Sequence, residues 1–256
     1  MPDNMIINVK DLTVRFGDEL ILDRVTLDVF KGEILVILGA SGCGKTTLMR
    51  HMTGLDCPES GSVVIDGIDI TIADDRLLKT ALRKIGILFQ SSALFGSMSI
   101  GENIALPIRQ YTGFGKKEVD EMVRFKLGMV DLCGYENHLP SEISGGMKKR
   151  AALARALALN PEILFLDEPS SGLDPVTSAD IDQLILNLND RIGATMVIVT
   201  HDLQSIFTVA KRVIMLDKNK KGIIAEGDPV VLRHKADHDF VREFLNTGNF
   251  AGNKKK

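Results

Sequence analysis

Over the first 38 residues the chain alternates and then saturates with apolar side chains. MIINVKDLTVRF and LDRVTLDVF partly alternate apolar with polar positions, the period of a half-buried strand, and EILVIL is an unbroken apolar run of the kind a covered central strand carries. SVVIDGIDI (62–70) predicts a short hairpin turning at Asp66-Gly67, and KIGILF (84–89) another buried strand. From about 91 to 157 the pattern becomes helical, through IGENIALPI, KKEVDEMVRFKLGMV and MKKRAALARALAL, with Pro107, Gly113, Gly115 and Pro140 as punctuation. This stretch predicts a helical insertion. Beyond it EILFLD, TSADIDQLILNLNDR, ATMVIVT, LQSIFTVA, VIML and GIIAEG alternate strand with helix, which predicts an α/β chain with a mostly parallel, covered sheet. A single domain over 1–256 is expected, with a core of 1–90 and 158–228, a helical subdomain of 91–157 and a helical tail of 229–256 around HDFVREFL.

Composition narrows the function classes. With 45% apolar and 25% charged residues the chain reads as an ordinary soluble globular protein. Cys43, Cys57 and Cys133 are odd in number and have no paired spacing, so neither a disulfide framework nor a zinc site is expected. MPDNMIINVKD has no basic n-region or apolar h-region, so no signal peptide is expected. No apolar run reaches the ~18 residues of a spanning helix. A net charge of −3 and a pI near 6.0 argue against a nucleic-acid partner, which would call for a basic domain. Lys254, Lys255 and Lys256 read most simply as a solvated tail, with contact to anionic lipid as the alternative.

Gly39-Ala40-Ser41-Gly42-Cys43-Gly44-Lys45-Thr46 matches G-x-x-x-x-G-K-[ST] between a predicted strand and a predicted helix, the context that gives the match weight. The glycines let successive N–H groups turn inward on phosphate oxygens, and the helix N-terminus adds partial positive charge. Lys45 would reach the β/γ-phosphates, and Thr46 would offer a hydroxyl to Mg²⁺. Cys43 fills a variable position of the motif, and its place at a helix N-terminus makes it a candidate for alkylation.

ILFLDEP (163–169) ends a buried strand in two carboxylates, and ligands of open α/β sheets bind at the carboxyl ends of strands. If its strand neighbours that of the phosphate loop, Asp167 can hold Mg²⁺. Glu168, pointing elsewhere, can polarise an attacking water. Pro169 keeps Glu168 out of the right-handed helical region. Gln90 after KIGILF and His201 after ATMVIVT repeat the same strand-end placement; each also has a purely structural reading.

ISGGMKKR (143–150) builds a second anion-seeking helix end from Ser144, Gly145 and Gly146, although the first cradle already serves a phosphate. Taken alone it is equally a serine N-cap before a helix. The whole series resembles the ATP-binding-cassette (ABC) ATPases: phosphate loop, Gln90, ISGGM, ILFLDE, Ser171-Gly172-Leu173-Asp174 and His201, covering about 5–228. The resemblance implies a P-loop NTPase core with a mostly parallel sheet, an antiparallel β subdomain and a helical subdomain. It implies a homodimer in which each ATP lies between the phosphate loop of one copy and the SGG of the other. Phe16 would stack on adenine, and Gly39, Ser41, Gly42, Cys43, Gly44, Lys45, Thr46 and Thr47 would hold the nucleotide. Gln90 would sense Mg²⁺ and water, Ser144, Gly145 and Gly146 would grip the γ-phosphate in trans, Asp174 would order the interface, and His201 would touch the γ-phosphate. Ile143 stands where the family has leucine, and Met147 where it has glutamine.

SGGMKKRAALARALALNPEILFLDEPSSGLDP with FGSMSIGENIALPIR most resembles the ATPases of MCE-type lipid transporters, which include the bacterial maintenance-of-lipid-asymmetry (Mla) system. That implies two integral-membrane permease subunits, an MCE-domain protein, in some systems a small STAS-domain partner, and a peripheral position on the cytoplasmic face of the inner membrane. Leu94, Phe95, Met98 and Ile100 after Gln90 would line a groove for a permease helix or belong to ordinary core. The same engine could instead import a small polar solute, or act as a soluble cassette ATPase.

Overall fold

The computed structural model describes residues 4–246, so Lys254, Lys255 and Lys256 lie outside the described residues. The elements in chain order are β1 (Met5–Phe16), β2 (Glu19–Phe30), β3 (Ile34–Gly39), α1 (Lys45–Met52), β4 (Ser60–Ile65), β5 (Ile68–Asp69), α2 (Asp75–Leu82), β6 (Ile85–Leu88), α3 (Ile100–Tyr111) and α4 (Lys116–Met129). There follow α5 (Gly145–Ala156), β7 (Ile163–Asp167), α6 (Pro175–Ile192), β8 (Thr195–Val199), α7 (Leu203–Val209), β9 (Arg212–Asp217), β10 (Gly222–Gly227), α8 (Pro229–Lys235) and α9 (Asp239–Asn246). Two compact units form, one of the residues up to Leu82 with those from Val197 onward, and one of Arg83–Met196. Among the described residues no helix is long and apolar enough to cross a membrane.

In the first unit β2, β1, β4 and β5 make an antiparallel sheet in that order. The expected hairpin is present: Asp66 (φ 45°) and Gly67 (φ 83°) both take the positive φ that a tight two-residue turn demands. Its second layer pairs β3 parallel to β9, Val36 opposite Val213, with β10 antiparallel to β9. All six residues of β3 are buried, as the continuous apolar run requires. Arg212 anchors this layer, donating from Nε to Glu33 (3.0 Å) and from Nη2 to the Asp28 carbonyl (2.7 Å). Helix α2 is absent from the apolar pattern because only Ala81 of it is buried. Its signal is instead a cap, Asp74 Oδ1 accepting from the N–H groups of Arg76 (3.0 Å) and Leu77 (2.8 Å).

In the second unit β6 runs parallel to β7, Ile87 opposite Phe165. Helix α5 crosses β6 so closely that a Cβ on Gly86 would lie 2.2 Å from the Ala156 carbonyl oxygen. Ile100, Ile104, Ile108, Val119, Val123 and Leu127 build the core of α3 and α4. Pro107 does not punctuate α3 but lies inside it, because burial of Ile104 and Ile108 on either side outweighs the one hydrogen bond lost. Ile100 is core, whereas Phe95 is 50% exposed. The turn that carries Phe95 is tied down by buried Asn103, which accepts from the Phe95 N–H (2.8 Å) and donates to the carbonyls of Phe95 and Ser99 (3.1 and 3.0 Å).

Candidate nucleotide site

The loop after β3 has a backbone that residues with a side chain rarely adopt. Gly39, Gly42 and Gly44 have φ of 147°, 74° and 100°. A Cβ on Gly39 would sit 2.4 Å from the Leu216 carbonyl oxygen and 2.7 Å from Cys43 Sγ, so the first glycine is fixed by close packing against β9. Gly44 caps α1 in the left-handed conformation, and having no side chain it offers no cap of its own to the first N–H groups of the helix. Those groups are the donors a phosphate takes. Lys45 lies over the same loop, its Nζ donating to the carbonyls of Gly39 (2.8 Å) and Ala40 (3.1 Å). Ser41 and Thr46 are exposed and Thr47 half-buried, its carbonyl held by buried His51 Nδ1 at 2.8 Å.

Cys43 departs from the expected reactivity. It is buried, and desolvation pushes its thiol up despite the opposing charge of Lys45. A thiol so protected is a packing residue and not an alkylation target. In the same unit Phe16, at the end of β1, is 56% exposed, as a ring free to stack requires. His201 follows β8 and is exposed.

In the second unit β7 delivers Asp167 and Glu168, both buried. Glu168 lies outside the right-handed region, as Pro169 requires, and sits at φ 48°. Few non-glycine residues hold that conformation without support. Ser144 is the N-cap of α5, its Oγ accepting from the Met147 N–H at 3.3 Å, with Gly145 exposed beside it. Gly146 is buried, and a Cβ there would meet Thr177 Cγ2 at 2.5 Å. Asp174 caps α6, accepting from the N–H groups of Val176 and Thr177 (3.1 Å each) and from Thr177 Oγ1 (2.6 Å). The Thr177 bonds hold its carboxyl below the usual carboxylate range.

Two residues of this unit have roles that the sequence pattern conceals. Lys149, in the basic segment that opens α5, is 5% exposed and donates to the carbonyls of Gln90 (2.6 Å) and Glu168 (3.0 Å). Burial pushes its ammonium down, against the pull of the Glu168 and Asp167 charges. Arg155, further along α5, donates to the carbonyls of Ala93 (2.7 Å) and Ser92 (3.0 Å). Helical spacing is the signal that could have found Lys149: Gly146, Lys149, Leu153 and Ala156 fall on the buried face of α5. Gln90 itself has an exposed side chain two residues beyond β6.

Known proteins resemble this chain over most of its length. The model of the family described as ABC transporter matches residues 22–171. The probable ribonucleotide transport ATP-binding protein mkl of Mycobacterium leprae is 45% identical, covering 96% of this chain and 70% of the relative. The intermembrane phospholipid transport system ATP-binding protein MlaF of Haemophilus influenzae is 40% identical, covering 91% of this chain and 87% of the relative. Among solved structures, the dimeric post-hydrolysis state of the ATP-binding cassette MJ0796 bound to ADP and Pi is 36% identical with a TM-score of 0.78, covering 87% of this chain and 98% of that one.

Proposed function

From the premise that this chain belongs to the ABC transporter family and is an ATP-binding ATPase of it, we propose that it powers phospholipid transport between the inner and outer membranes of a bacterium. The observation that carries the reading is its 40% identity, over 91% of the chain, to the intermembrane phospholipid transport protein MlaF. Met147, at the position where the family has glutamine, accords with that choice among cassette proteins.

ATP would lie between residues 39–47 of one copy and Ser144, Gly145 and Gly146 of a second, in an isologous homodimer. Phe16 would stack on the base, and Lys45 would offset the charge of the β- and γ-phosphates. Thr46, Gln90 and Asp167 would hold a metal through a hydroxyl, an amide oxygen and a carboxylate, an all-oxygen donor chemistry that would suit Mg²⁺, whose charge would offset that of the phosphates. Glu168 would take the proton of the attacking water, with Gln90 orienting that water and His201 touching the γ-phosphate. Asp174 would order the contact between copies. Closure of the pair on ATP and its reopening after hydrolysis would move two permease subunits joined to an MCE-domain protein, and in some systems a STAS-domain protein, at the cytoplasmic face of the inner membrane.

A second reading is favoured by the 45% identity to mkl, whose name assigns it ribonucleotide transport: the same engine importing a small polar solute. Purification from detergent-solubilised membranes separates the two. The lipid reading expects a permease and an MCE-domain protein to co-purify, with ATPase activity of the complex responding to phospholipid. Co-purification of a solute-binding protein, with activity responding to ribonucleotide, would replace it with the second reading.

A further inference from the structure

We infer that Lys149 is a positioning residue for ATP hydrolysis, holding on one ammonium group the backbone carbonyls of both Gln90 and Glu168. The inference rests on the reading of Glu168 as general base.

Lys149 is almost fully buried, and its Nζ spans the two carbonyls at 2.6 and 3.0 Å. A buried ammonium is costly unless its donors are used, so the pairing is strongly specified. Glu168 sits at φ 48°, a conformation that persists in a non-glycine residue only where its surroundings over-determine it. Its carbonyl accepts from the Ser171 N–H at 3.2 Å and, more strongly, from the Lys149 ammonium, and the charge-assisted bond adds the constraint that fixes the peptide plane from which the side chain projects. Arg155 repeats the arrangement on the other loop, where Ser92 and Ala93 have φ of 64° and 46° and give their carbonyls to its guanidinium. Helix α5 therefore grips left-handed residues on both loops, and it is the helix that Ser144 caps.

Without the Lys149 ammonium the two carbonyls lose their shared donor, the Glu168 carbonyl keeps only the weaker bond from Ser171, and the link that holds the Gln90 and Glu168 backbones together is gone. A displacement of about 1 Å in a reacting group costs about 10²-fold in rate. Nucleotide binding, which rests on the loop at 39–47, is expected to change little.

The test uses the full chain, with Lys149→Met and Lys149→Gln made alone and in the Glu168→Gln background. ATP turnover, KM, equilibrium ATP binding and Tm are measured for each. Lys149→Met is expected to lower kcat by about 10- to 100-fold, with KM and ATP affinity held within about 3-fold. Lys149→Gln, which keeps an N–H donor, is expected to recover part of the loss. Adding Lys149→Met to Glu168→Gln is expected to slow turnover no further, because a residue that acts through Glu168 has nothing left to position. Unchanged kcat, a loss confined to KM, or losses that multiply in the double variant would overturn the inference. If Lys149→Met does not fold, Lys149→Ala, which likewise removes the donor, decides on the same criteria. Near-normal turnover in Glu168→Gln alone would instead remove Glu168 as the base, a failure distinct from that of Lys149.

Discussion

The Nζ of Lys45 lies 2.8 Å from the carbonyl oxygen of Gly39, so the one full positive charge within the motif is folded over the loop that precedes it. In the proposed site a phosphate reaching that loop would meet the charge together with the first N–H groups of α1. Lys45→Ala is therefore expected to weaken ATP binding itself by about 10- to 100-fold, the worth of one charge-assisted hydrogen bond. Equilibrium titration with a fluorescent ATP analogue checks it.

Glu168 stands at the opposite extreme, expected to contribute to turnover and little to binding. Glu168→Gln keeps the shape and removes the base, so turnover is expected to fall by ~10²–10⁴-fold while ATP affinity is retained. Single-turnover hydrolysis alongside equilibrium binding distinguishes the two effects.

Gly39 and Gly42 are unequal in the space around them. A Cβ at Gly39 meets a backbone oxygen at 2.4 Å, whereas a Cβ at Gly42 meets nothing within 4 Å. Gly39→Ala is expected to destabilise the fold by about 1–3 kcal/mol, and Gly42→Ala by less, through backbone strain alone. Thermal unfolding of the two variants, compared with the unaltered chain, reads the difference.

Lys126 gives a pH dependence. It is 1% exposed, its Nζ donates to Asn160 Oδ1 at 2.5 Å, and burial pushes its ammonium down from 10.5 to about 8. Between pH 8 and 10.5 the unfolded chain binds the proton that the folded chain has released, so this contribution to stability rises with pH. Below pH 8 both states are charged and the desolvation cost stands in full. Unfolding of the chain and of Lys126→Met, followed across the alkaline range, is expected to show the unaltered chain gaining on the variant by on the order of 1–3 kcal/mol.

Much of the fold and of the site was legible in the sequence, for reasons particular residues make plain. EILVIL announces β3 because a strand covered on both faces needs no polar alternation, and Asp66-Gly67 announces a turn because its two positive φ values suit few other pairs. The glycines of 39–44 and the SGG of 144–146 were visible because close approach and helix ends restrict residue type. What stayed hidden is long-range. Lys149 has the composition of a surface residue, and only the crossing of α5 over β6 brings its ammonium to Gln90 and Glu168. Helix α2 was invisible to periodicity because it buries so little, and Pro107 misled because its helix is held by packing.

Catalysis, in the function proposed above, needs two copies, one lending Lys45 and the other Ser144. Mixing a Lys45→Ala chain with a Ser144→Arg chain, at an ATP concentration too low to load the Lys45→Ala loop so that neither is active alone, tests it most directly through ATPase activity. About half of randomly paired dimers are mixed, and each of these holds one intact site, so activity is expected to return to about a quarter of the unaltered level. A mixture that stays inactive, or an isolated monomer that hydrolyses ATP at the full rate, would contradict the claim.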